Sequence, residues 1–176
     1  MGYEAEAALL GRLAGRLSDE AVAMTWGDLN AGETGLAHAG LAGWLEVERV
    51  ALTREEAALF TGATGRTPPL VADEPPPGYT FTARGGAEPP EHEERLLAWA
   101  ARLPEVRQVL RAWRVPGRGA TQPAAWVHLV VVDAGTPPHH VVFREPGVHA
   151  VAEGEELPPY LAAALAAAEP LRQAGG

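Results

Sequence analysis

The segment Trp126-Val127-His128-Leu129-Val130-Val131-Val132 constrains the fold more than any other part of the chain. It carries no charge and is rich in β-branched residues, so it reads as a strand. Its apolar side chains do not alternate with polar ones, which implies a strand covered on both faces, or nearly so. The rest of the chain must therefore supply covering layers. Asp133-Ala134-Gly135-Thr136-Pro137-Pro138 makes a loop. His139 to Arg144 then reads as a returning strand, Glu145-Pro146-Gly147 as a turn, and Val148 to Val151 as a further strand, which together predict an antiparallel meander.

The flanking segments supply helices. Tyr3, Ala7, Leu10, Leu13, Ala14 and Leu17 recur at three- and four-residue spacing, the stripe of an amphipathic helix over 3–17. Such a stripe is ordinarily a core face, with docking on another chain as the second reading. Ser18 stands where a helix cap is expected, yet Ala21 to Trp26 alternates, with Val22, Met24 and Trp26 on one face, and reads as a strand. Gly43 to Val50 suggests another strand. Thr53 and Glu56 have the spacing of a capping box, which starts a short helix running to Gly62. Tyr79 to Arg84 alternates as a strand. Pro89 and Pro90 precede Glu91, Glu93 and Glu94, and the helix they open buries Leu96, Leu97, Ala100 and Leu103. Pro158-Pro159 opens a last helix that Pro170 stops, with frayed residues after it.

Residues 62–78 cannot continue a helix, because their prolines lack donors and push their predecessors to extended geometry. The choice is between a polyproline ligand for an SH3-like partner and a stiff connector. The connector is favoured, since basic flanking residues are missing. The expected organisation is a single domain over 1–176. An N-terminal half (1–61), the connector (62–78) and a C-terminal α/β half (79–170) are its possible parts. The expected class is α+β, with a mostly antiparallel twisted sheet and helices packed on one face.

The segment Pro104 to Val115 carries two conflicting signals. Val106, Val109, Leu110 and Trp113 fit helical spacing, while the β-branched and aromatic residues leading into Pro116-Gly117 also fit a hairpin. A family resemblance bears on this choice. Tyr79 to Pro89, the helix Glu91 to Leu103, Pro104 to Leu110, the Pro116-Gly117 turn and Trp126 to Asp133 together resemble the C-terminal domain of the SseB (enhanced serine sensitivity) family. The similarity spans about residues 79–151. The resemblance implies a small α/β unit, no established catalytic residues, and a strand over 107–115. The first 70 residues do not resemble the family's other half.

Composition removes several functions. The chain has no cysteine, hence no thiolate nucleophile or thiolate metal site. Ser18 is the only serine and sits at a cap, so a serine hydrolase is not expected. A formal charge of −9 argues against nonspecific nucleic-acid binding. No apolar run is long enough for a membrane span, and the N-terminus lacks a signal-peptide pattern, so a soluble cytoplasmic bacterial protein is expected.

Candidate chemistry sits on the meander. His139, His140 and Glu145 are the acid–base candidates, with His128, Asp133 and His149 nearby. Adjacent residues on a strand point to opposite faces, so His139 and His140 meet only if the turn bends them together. No ligand spacing indicates a metal, and no cofactor is expected. Arg107, Arg111 and Arg114 form a basic row able to clamp a carboxylate or phosphate, although such a row is more often a solvated face. Trp44, Trp99, Trp113 and Trp126 read as core anchors. The expected function is a non-catalytic interaction or regulatory module acting on another protein or a second copy. One alternative is an acidic chaperone or immunity-type protein that neutralises a basic partner. The other is a small enzyme or ligand-binding protein using the 133–149 turn.

Overall fold

A computed structural model describes residues 3–73, 77–86, 88–141 and 143–171. Helices α1 (Glu4–Leu13), α2 (Asp19–Asn30), α3 (Thr34–Val47) and α4 (Arg54–Thr64) come first. Strand β1 (Tyr79–Thr82), helix α5 (Glu93–Ala100), and strands β2 (Val106–Pro116) and β3 (Ala125–Val132) follow. A 3-10 turn at Pro138–His140 leads to β4 (Val148–Ala152), α6 (Pro159–Ala167) and the short β5 (Glu169–Pro170). The class is α+β, with a mixed, mostly antiparallel sheet of order β1-β2-β3-β4. β1 and β5 share the outer edge of β2, β1 pairing with Trp113 to Pro116 and β5 with Leu110 and Arg111.

β3 is the covered central strand that its apolar run implies. Val127, Leu129 and Val131 face α6, where they pack with Leu161, Ala164 and Ala14. Val130 and Val132 face α5, packing with Leu96, Ala100 and Val141. Helices thus cover the sheet on both faces, not one, which is why β3 needs no polar side. Burying each such Val or Leu stabilises the fold by about 1.5–3 kcal/mol. A third cluster joins Leu9, Leu13 and Leu17 to Val22, Leu41, Leu45 and Phe60, uniting α1–α4.

Three local expectations are overturned. Ala21 to Trp26 is helical: Ser18 is extended and its hydroxyl accepts from Ala21 N at 3.2 Å, capping α2. Ala21, Val22, Thr25 and Leu29 form the buried stripe, which outweighs the apparent alternation. Gly43 to Val50 is no strand either, since α3 buries Ala37, Leu41 and Leu45 at four-residue spacing through Val47. Its internal glycines each cost roughly 1 kcal/mol in a helix, a price that tertiary burial overrides. The meander also fails. β4 runs parallel to β3, in register from His128↔Val148 to Val132↔Ala152. Among the described residues of 139–144 there is no strand; Pro138 sets the first position of the 3-10 turn, closed by His140 N to Pro137 O at 3.0 Å. Val142 lies outside the described residues.

Other boundaries shift. The capping box at Thr53 and Glu56 is formed through both of its bonds, but α4 passes Gly62 and ends at Gly65 in the left-handed conformation. The connector touches the helical layer through Leu52 N to Leu70 O and Ala72 N to Leu52 O, each 3.0 Å. Residues 104–115 form a strand from Val106 onward, with a register shift between Val106 and Gln108. Both faces of β2 are covered, so the adjacent Val109 and Leu110 are both buried, in the α5-side and α6-side clusters respectively, and the strand does not show simple alternation. After Pro170, Leu171 is buried and its N–H bonds Val109 O at 2.8 Å. Fraying from 171 onward is therefore wrong at Leu171, and 172–176 lie outside the described residues.

Candidate functional site

The three arginines of β2 do not make a row. Arg107 is exposed and paired with Asp133. Arg111 points to the α5 face, and Arg114 to the α6 face, where it is fully buried rather than solvated. Alternation along a strand separates them.

On the α6 face, Arg114 makes two bonds of 2.9 Å to Asp19, donates to Tyr160 Oη at 2.8 Å and to Pro123 O at 3.0 Å. Its guanidinium also lies 5.7 Å from the Tyr79 ring centroid. Burial works against its charge, but the Asp19 bonds prevail and hold its pKa above the ordinary value. Burial, helped by Asp19, pushes the Tyr160 phenol up to about 12. This cluster ties α2, β2 and α6 together. Gly15, in the turn after α1, accommodates it: at φ +78, a Cβ there would stand 2.3 Å from the Tyr160 ring.

On the α5 face, Glu93 accepts from Arg111 at 3.0 Å and meets His128 Nε2 at 2.9 Å. Arg111 reaches Glu169 as well, at 3.3 Å, and lies over Trp126 at 4.7 Å. His92 stacks edge-on against His128, with centroids 5.1 Å apart. Burial lowers the pKa of both imidazoles, opposed at His128 by its bond to Glu93. The tryptophans serve as packing anchors here: Trp113 meets Trp126 at 5.2 Å and Trp99 meets Phe143 at 5.1 Å, while Trp44 packs on the α1–α4 core.

The 3-10 turn does bring His139 and His140 together, with ring centroids 4.5 Å apart. His139 is buried and His140 exposed. Glu145 is salt-bridged to Arg95 of α5 at 2.7 Å. His139 instead lines a cleft of about 940 Å³ between α1, the 3-10 turn, β4 and the start of α6. His149 of β4 lines the same cleft. The Nε2 atoms of both are buried and have no partner among the described residues. Burial lowers both imidazoles, His149 to about 4, so both are neutral near pH 7. Leu10, Val141 and Leu161 contribute apolar wall. Among the described residues, no group of three or more His, Asp or Glu is placed to hold a metal ion.

A second surface lies on α3. Leu36, Gly40, Gly43 and Val47 share one stripe, with Leu36 59% and Val47 76% exposed. A Cβ built at Gly40 or Gly43 would meet nothing within 4 Å, so no other part of the described chain covers this stripe.

Sequence reasoning did not single out Asp19, Glu93 or Tyr160, because their partners lie far away in the chain. The one available signal was the unusual burial demand on β3, which places any polar neighbour of that strand between packed layers. No helix is long and apolar enough to cross a membrane among the described residues. Compared with models of known protein families, with curated proteins and with solved structures, the chain finds no match.

Proposed function

We propose that this protein is a non-catalytic interaction module whose partner-binding element is the exposed face of α3. The observation that carries this reading is the uncovered stripe Leu36-Gly40-Gly43-Val47, two large apolar residues flanking glycines where another helix or strand can approach closely. The buried charges support it from the other side. Arg111 and Arg114 already hold carboxylates, and Glu93 and Asp19 are consumed in those pairs, so they weld layers in place of turning over a substrate. The order β1, α5, β2, β3 along 79–132 is compatible with an SseB-like C-terminal domain, a family without established catalytic residues.

The occupant is another protein or a second copy of the chain. Native mass spectrometry of the full chain, alone and with captured partners, tests this. The reading expects a dimer or a stoichiometric complex that Leu36→Glu together with Val47→Glu dissolves. A monomer with no partner, or a complex indifferent to these substitutions, argues against it.

A further inference from the structure

We propose that the cleft between α1, the 3-10 turn and α6 binds a small organic cation, a primary ammonium on an apolar body, with the head held by Glu4 and His139 Nε2. This site is separate from the α3 face and does not depend on it. Several independent features of the cleft lead here.

Its size, about 940 Å³, lies within the range of small-molecule pockets. Its walls include Leu10, Val141 and Leu161, which suit a hydrocarbon body. Two imidazoles, each less than one-tenth exposed, line it with Nε2 atoms that lack partners among the described residues. A buried polar atom without a partner is unfavourable, and a ligand donor relieves that penalty. His139 also feels the charges of Glu4 and Glu6 on α1.

The sign of the ligand follows from the lining charges. Arg12 and Arg16 are already bonded to Glu55 and Glu56. Glu4, Glu155 and Glu156 line the same cleft, are exposed, and have no ion-pair partner among the described residues. The uncompensated charge is therefore negative. A neutral imidazole nitrogen accepts a hydrogen bond from an ammonium N–H, whereas a carboxylate ligand would be repelled by the unpaired glutamates that line the same cleft. His149 offers a second unfilled nitrogen for a further donor on the ligand body.

A matched series of octylamine, octanol and octanoate, titrated calorimetrically into the full chain near pH 7, tests the proposal. The expected order is octylamine tightest, by about tenfold over octanol, with octanoate weakest. Ala8→Trp, at an exposed α1 position lining the cleft, is expected to abolish binding of all three. His139→Phe should bring octylamine to the level of octanol. Should that variant not fold, Glu4→Gln at the exposed rim gives the same readout. No binding of octylamine, equal binding of octylamine and octanol, tighter octanoate, or binding untouched by Ala8→Trp overturns the proposal.

Discussion

Arg114 of β2 and Asp19 at the start of α2 meet through two parallel bonds of 2.9 Å across 95 positions of sequence. The pair joins the helical layer to the sheet, and it places a full positive charge where water does not reach. Its energetics are therefore asymmetric. Removing the carboxylate leaves the guanidinium uncompensated, at a cost of about 3–5 kcal/mol. Asp19→Asn should lower the urea midpoint accordingly, while Asp19→Asn combined with Arg114→Met should lose less than Asp19→Asn alone. Equal or greater loss in the double variant would contradict this account.

Gly15 and Gly32 separate backbone strain from packing. Both have φ +78, but a Cβ at Gly15 would meet Tyr160 at 2.3 Å and one at Gly32 would meet nothing within 4 Å. Gly32→Ala should cost about 1 kcal/mol, the price of a left-handed alanine. Gly15→Ala should cost clearly more, because the ring must move while Tyr160 holds Arg114. Denaturant titration of the two variants compares them directly. Similar losses would mean that the Tyr160 contact carries no weight.

Stability should fall on acidification. Burial pulls His149 down to about 4 and lowers His128, His139 and His92 as well, from the ordinary 6.5. Between those values the unfolded chain binds more protons than the folded one, so stability is highest above 6.5 and is lost as pH falls toward 4. His149 alone should account for a loss of about 1.5 kcal/mol between pH 6.5 and pH 5. Midpoints measured near neutrality and near pH 5 check this. A flat or inverted profile would show that these rings are not held neutral by the fold. His149→Leu should flatten part of the slope.

Local signals carried far along this chain where one element explains itself. Val127 to Val132 announced a doubly covered strand, and Thr53 with Glu56 announced α4, because in each case the cause sits in adjacent residues. Ser18 caps a helix as its type suggests, although the alternation of Val22, Met24 and Trp26 points to a strand. The cap was the better guide, since a side-chain bond to Ala21 N fixes the first turn. The direction of β4 was not legible. A parallel partner needs a long crossover, and the segment 133–147 looked like a loop followed by a strand. At the candidate site, the sequence raised His139, and the 3-10 turn set it into the cleft; it gave no sign that Glu4 stands nearby or that Arg111 and Arg114 part to opposite faces.

The interaction account is tested most directly by a photo-crosslinking residue placed at Gly43, on the open face of α3, with Gly62 on α4 as the control, since both are exposed helical glycines with nothing within 4 Å. A discrete adduct from position 43, to a second copy or to one other protein, is predicted, with none from position 62. The adduct should vanish in the Leu36→Glu and Val47→Glu background. The same adduct pattern from both positions, or no adduct from position 43, would contradict the account.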